Sequence, residues 1–215
     1  NAADYNTAVG MQAGDAIVDG ANNTCVGTWS LSAAAGSDNT AVGKSALEAF
    51  TGDDATAVGS GAAAAASDAD NLTAIGRSAL AVVTGSYNTA VGHDAGKTIT
   101  SGADNTAVGS AALDGATVGA LRNTAVGRSS LSAAAVADNT AVGFNSLLLF
   151  TGSDATAVGS YAGSTLTSAT DCTMLGKSTA ASAVDGANQT VIGASATGQA
   201  DNSVVLGNAS VTAIY

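Results

Sequence analysis

A single pentapeptide sets the fold of this chain. Asn-Thr-Ala-Val-Gly begins at Asn6, Asn39, Asn88, Asn105, Asn123 and Asn139, and variants fill every gap between these copies. Asn-Thr-Cys-Val-Gly starts at Asn23, Ala-Thr-Ala-Val-Gly at Ala55 and Ala155, Leu-Thr-Ala-Ile-Gly at Leu72, Cys-Thr-Met-Leu-Gly at Cys172, Gln-Thr-Val-Ile-Gly at Gln189 and Ser-Val-Val-Leu-Gly at Ser203. From one motif to the next the step is 16 or 17 residues nearly throughout, with 18 into Thr124 and 14 into Val204. A unit of that size is too short for a helical hairpin or a propeller blade, and it matches one turn of a parallel β-solenoid. Thr and Val favour strands, while the Gly, Asp, Asn and Ser between them favour turns. The spacing therefore predicts an all-β parallel β-solenoid, or β-roll, of about thirteen coils of 16–17 residues, each with two short strands and two bends.

The whole chain, 1–215, reads as one β-solenoid repeat domain. A longer period lies over the short one: the stretch 31–60 matches 131–160, with Leu31–Ala35 and Asp38–Gly43 recurring unchanged, an offset of six coils that a segmental duplication explains. Thirteen coils at about 4.8 Å each would build a rod roughly 60 Å long.

Composition agrees with thin stacked layers. Most of the 46% apolar content is Ala, with 27 Gly and no Pro, which offers little area to bury per residue and suits a compact globule poorly. A net charge of −11 with only six Lys and Arg argues against nucleic acid, because phosphate binding needs clustered cations. No run of 18 apolar residues occurs, so no membrane insertion is expected. The two cysteines, Cys25 and Cys172, lack metal-ligand spacing and are too few for a disulfide framework. Nine coils separate them, roughly 40 Å along the stack, which excludes a bridge within one chain.

Alternation along a strand decides which columns face the interior. The fourth motif position, Val9 through Leu206, holds no polar residue, so this column is expected to fill the coil, with Thr of the second position beside it. The third position, mostly Ala with Cys25, Met174, Val191 and Val205, is then expected to point outward. An apolar outward column must be covered. The economical cover is the same surface of identical chains around a common axis, where symmetry could join Cys25 residues of two chains. Three and four positions after the motif Gly come a small residue and then Leu, Gly or Ala, read as a second strand with Leu31, Leu47, Leu80, Leu113, Leu131 and Leu147 as core plugs. The motif Gly itself is present in all thirteen copies, as expected where φ is positive or a Cβ has no room.

These columns resemble the Asn-Thr-Ala-Val-Gly-x-x-Ala-Leu arrays of phage and viral tail fibres, and are similar to the β-roll heads of trimeric autotransporter adhesins. The stretch Asp201–Thr212 is similar to the segment that precedes the self-cleaving chaperone of tail fibres. The resemblance implies a homotrimeric shaft or head, outside the cell or on the virion surface, that attaches to a host through a cell-surface glycan or protein receptor.

No constellation in the sequence points to an enzyme or a cofactor. His93 is the only His and no nucleophile motif accompanies it. The Asp-rich turns lack the nonapeptide of calcium β-rolls, and one Asp per turn rarely completes six oxygens. Lys44, Arg77, His93, Arg128 and Lys177 all follow the motif Gly directly and should form one outer column. Two readings apply: a ridge for acidic glycans, or compensation of the turn residues Asp38, Asp54, Asp70, Asp104, Asp138 and Asp154, which the repeat itself favours. Trp29, Phe144 and Tyr161 fall in or beside the same column, either as platforms for sugar rings or as local packing, whereas Phe50 and Phe150 are expected to pack. Asn at the first motif position reads equally as an amide ladder or as turn preference. An ice- or glycan-binding single-chain solenoid is the alternative, the ice-binding form suggested by the Thr column and discounted here because Thr shares the face of the invariant apolar column. A polysaccharide-cleaving solenoid would need a groove with paired carboxylates, and no long loop is present to build one.

Overall fold

The computed structural model describes residues 5–115 and 119–213. The strands are β1 (Thr7–Val9), β2 (Thr24–Val26), β3 (Thr40–Val42), β4 (Thr56–Val58), β5 (Thr73–Ile75), β6 (Thr89–Val91), β7 (Thr106–Val108), β8 (Thr124–Val126), β9 (Thr140–Val142), β10 (Thr156–Val158), β11 (Thr173–Leu175), β12 (Gln189–Ile192) and β13 (Ser203–Leu206). They form one parallel sheet in chain order, and every motif copy lies in register on the next, as Thr40 on Thr56, Ala41 on Ala57 and Val42 on Val58. This is the β-solenoid that the period predicts, about twelve turns from first strand to last.

Each coil carries one strand, not two. The segment after the motif Gly is a run of turns, and the core-plugging Leu residues are the reason: Leu31, Leu47, Leu80, Leu113, Leu131 and Leu147 all have φ between +47° and +52°, which no strand accommodates. Where Gly takes that position, at Gly14, Gly96 and Gly163, the missing side chain is replaced from three residues further on. A Cβ on Gly96 would stand 3.0 Å from Ile99 Cδ1, and one on Gly163 would stand 3.3 Å from Leu166 Cδ1. Coil-to-coil hydrogen bonds nevertheless continue through the turns, as from Ser45 N to Thr28 O (2.9 Å) and from Leu47 N to Ala62 O (3.0 Å). They offset the cost of left-handed residues, about 1–2 kcal/mol each. Isolated parallel bridges, such as Ala103 to Leu121 and Leu121 to Ala137, are what the described residues show of a second ladder.

The alternation holds, but its phase is the reverse of the sequence expectation. The third motif position points inward: Cys25, Ala41, Ala57, Ala74, Ala90, Ala125, Ala141, Ala157 and Val191 are fully buried, with Ala107 and Met174 nearly so. Thr and Val point out, giving strand patterns such as half-buried, buried, half-buried for Thr40–Val42. The coil is too narrow for the opposite phase. Its far wall already contributes the fully buried Leu31, Leu47, Leu80, Leu113, Leu131 and Leu147, and between these and the strand there is room for Ala, not for a second branched column. Cys25 is therefore enclosed by its own coil and cannot meet a partner chain's Cys25 at an axis. Both cysteines are buried and free, and burial pushes their thiols up.

The first motif position also faces inward, and its amides form a ladder. Asn105 N donates to Asn88 Oδ1 (3.1 Å), Asn123 N to Asn105 Oδ1 (3.0 Å) and Asn139 N to Asn123 Oδ1 (3.1 Å). Each Nδ2 also reaches a backbone carbonyl of the segment leading into the next coil's strand, Asn105 to Ala120 O (2.7 Å) and Asn139 to Gly152 O (3.1 Å). Among the described residues no buried side-chain nitrogen or oxygen lacks a partner. Phe50 and Phe150 are fully buried as packing residues.

The motif Gly is required on both grounds. From Gly10 to Gly193 φ lies between +122° and +140°, and a Cβ at each would come under 3.0 Å from backbone of the Gly in the next coil. These glycines stack directly on one another at one corner of the coil.

Candidate interaction surface

The outward side of the strands is a strip two side chains wide. Thr7, Thr24, Thr40, Thr56, Thr73, Thr89, Thr106, Thr124, Thr140, Thr156, Thr173 and Thr190 make one column and Val9 to Leu206 the other. The sheet places like residue beside like at each step. No charged residue enters either column. The apolar column stays open to solvent: Val58 is 38% exposed, Ile75 39% and Leu175 44%. With about 4.8 Å between coils and about 7 Å between alternate residues of a strand, the strip is a regular grid of methyls and hydroxyls.

The strip has two different borders. On one side, past the glycine corner, lies the column predicted from sequence, with Lys44, Arg77, His93, Arg128 and Lys177 exposed after β3, β5, β6, β8 and β11. On the other side lie the turns that lead into each strand. Asp38, Asp54, Asp104, Asp138 and Asp154 adopt φ of +57° to +62° there, the left-handed turn position that Asp tolerates.

The basic column does not compensate these turns within the chain, contrary to the reading the repeat favours. The strand and its glycine corner separate the two borders. Among the described residues the ion pairs are Lys97 to Asp94 (3.4 Å) and Arg122 to Asp138 (2.7 Å), and His93 Nδ1 lies 3.4 Å from Asp94 Oδ2. Arg122 belongs to the acidic border itself. Its fork takes both oxygens of Asp138 on the next coil, and that hydrogen bond holds the Asp138 carboxyl below its ordinary range. The sequence reading passed over Arg122 because it sits in a turn position that Asp or Asn usually fills. Asp114 goes the other way, raised by burial first and then by the charge of Asp94, against lowering by Lys97 and His93.

The residues singled out from sequence form three groups along the basic border. Trp29, half-buried, donates from Nε1 to Gln12 Oε1 on the preceding coil, and Lys44 Nζ lies 5.8 Å from its ring centroid. Arg77 Nη1 lies 3.2 Å from His93 Nε2. Arg128 stands over Phe144 at 5.8 Å, and Phe144 meets Tyr161 edge to face with centroids 5.2 Å apart. Lys177 is exposed one coil beyond Tyr161. The aromatics pack on their neighbours across coils, and Phe144 and Tyr161 remain exposed, at 36% and 42%.

Fold and surface together define a single-sheet parallel β-solenoid with an uncharged outward strip between borders of opposite charge. Comparison with protein-family models, curated proteins and solved structures gave no match. Among the described residues no group of His, Cys, Asp and Glu is placed to hold a metal ion, and no helix is long and apolar enough to cross a membrane.

Proposed function

We propose that this chain is a non-enzymatic structural segment of a homotrimeric fibre, outside the cell or on a virion, that carries or constitutes an attachment surface. The observation that supports this is the unbroken outward column of Val, Ile and Leu along every coil, exposed at Val9, Val26, Val58, Ile75, Val158, Leu175 and Leu206 and half-buried at the others. Isolated apolar side chains on a surface need no explanation, but an ordered apolar patch tens of ångströms long marks an interface. A strip roughly 60 Å long and about 12 Å wide offers on the order of 700 Å² per chain, close to the roughly 800 Å² per partner of a standard stable interface. The interface assigned to the Ala column by the sequence reading is accordingly moved to the Thr and Val columns, which face the axis. The number three comes from the resemblance to tail fibres and adhesin heads. In such a fibre the function is mechanical, a stiff rod whose three copies multiply weak surface contacts by avidity.

A second reading draws on the same columns. The ice-binding alternative was discounted because Thr was expected inside, and Thr is outside. Left bare, a flat grid of hydroxyls and methyls suits ordered water.

Light scattering across a dilution series separates the two. The fibre reading expects a stable mass near three times 20.3 kDa, and expects Val91→Asp with Val108→Asp to return it to the monomer mass with the fold intact by circular dichroism. A folded monomer at all concentrations refutes it, and thermal hysteresis of that monomer would then support the second reading.

A further inference from the structure

The two borders of the strip carry opposite charge, and this selects how a second copy can lie against it. The two positions before each motif hold, among the described residues, Asp38, Asp53, Asp54, Asp70, Asp104, Asp138, Asp154, Asp171 and Asp201, with Arg122 as the one cation. The two positions after each motif Gly hold Lys44, Arg77, His93, Arg128 and Lys177, with Asp94 as the one carboxylate. From Asp38 to Lys44 the chain runs six residues across the strand, up to roughly 20 Å when extended. The borders are therefore held apart within a chain, and the ion pairs bear this out: Arg122 to Asp138 is made inside the acidic border, Lys97 to Asp94 on the basic side.

Symmetry turns this asymmetry into an orientation. A copy related by rotation about an axis along the rod points the same way and sets its acidic border against the basic border of its neighbour. A copy related by a two-fold axis across the rod points the opposite way and sets acid against acid and base against base. The first arrangement also keeps coils level. Lys44 then meets the Asp38 of its own coil number, Lys177 meets Asp171 and Arg77 meets Asp70, while Arg128 is level with Arg122, which already holds Asp138, and is one coil, about 4.8 Å, from the level of Asp104 and of Asp138.

We infer that a second copy of this chain docks on the strip in parallel and in register, with an inter-chain ladder of Asp from the turns that precede the strands to Lys and Arg of the column that follows the glycine corner. The inference rests on the self-association proposed above. It gives Lys44, Arg77 and Lys177 a carboxylate partner, which their own chain does not place against them among the described residues. Opposite charges at the rim of an apolar strip set partner orientation more than they add affinity.

Zero-length carbodiimide coupling of an equal mixture of labelled and unlabelled chains, read by mass spectrometry, tests this on the intact protein. Coupled peptides that join Lys44 to Asp38 or Asp54, and Lys177 to Asp171, with mixed isotope content, are the expected result. Light scattering on the same sample separates the failures. A monomer removes the self-association reading and this inference with it. A multimer without mixed-isotope Lys–Asp peptides, or one in which an amine-to-amine reagent joins Lys44 of one chain to Lys177 of another, leaves self-association standing and overturns the parallel arrangement. In a second measurement, Lys44→Asp with Lys177→Asp is expected to weaken association at least tenfold at low salt, less at high salt, and to be rescued by adding Asp38→Lys with Asp171→Lys. A change under twofold overturns the ladder, because an antiparallel pair merely exchanges one like-charge border for another.

Discussion

Adding one methyl group at a stacked glycine tests the packing argument at its tightest point. Gly127 sits in the corner of the eighth coil with φ +131°, and a Cβ there would lie 2.5 Å from Gly143 O and 2.6 Å from Gly143 C. Ordinary contact begins at 3.4 Å, so the eighth and ninth coils must part by close to an ångström. That opening pulls on the bonds from Gly143 N to Val126 O (2.7 Å) and from Asn145 N to Arg128 O (3.0 Å). Holding a non-Gly residue in this part of backbone space costs about 1–3 kcal/mol, and weakening two hydrogen bonds adds about 1 kcal/mol each. Gly127→Ala is thus expected to destabilise by about 3–5 kcal/mol. Gly119 is the control, with φ +75° and nothing within 4 Å of its Cβ position, so Gly119→Ala should lose only the conformational cost of about 1–2 kcal/mol. Chemical denaturation followed by circular dichroism measures both. Because stacked repeats are coupled to their neighbours, the loss at Gly127 should also sharpen into separate transitions for the two half-rods. Equal losses at the two sites, or less than about 1 kcal/mol at Gly127, would refute the claim that backbone contact between coils sets this column.

Three further outcomes follow from buried and paired groups. Asn105→Ala removes the donor to Ala120 O and the acceptor for Asn123 N, leaving both backbone groups unpaired in the coil, and should cost about 2–4 kcal/mol in the same denaturation assay. The same change at the half-buried Asn6 should cost less. The Asp138 carboxyl, held low by Arg122, contributes stability that is present above its ordinary pKa of 3.8 and is lost as pH falls through the lower folded value. A carboxyl-carbon titration by NMR should place it below 3.8, and Arg122→Ala should return it to its ordinary range. For Asp114 the sign is opposite: its raised pKa means that stability is fullest below 3.8 and declines as pH rises, so Asp114→Asn should stabilise the chain at neutral pH.

The repeat made the solenoid legible, because period and coil length are properties of the chain that no tertiary contact can alter. Gly at every fifth motif position and the Leu plugs were legible for the same reason. Two features were not. The second strand was inferred from apolar positions three and four residues after the glycine, yet Leu47 and its equivalents are left-handed, and composition carries little signal for a Leu at positive φ. The phase of the strand was inferred from size, on the assumption that the larger apolar column fills the core. In a coil of 16 residues the wall opposite the strand supplies the bulk, so the strand contributes Ala, and the branched column is left outside. One clue lay in the sequence: the positions on the Ala side, from Asn39 and Ala41 to Cys172 and Met174, hold mostly Ala and Asn, with Leu72, Val191 and Val205 as branched exceptions, as an interior filled largely from its other walls requires. The reversal changes the argument about function more than the fold. With Ala inside, the Asp turns and the Lys and Arg column become the two borders of the outward strip, and charges that looked like independent decoration of a rod become the complementary edges on which the proposed self-association rests.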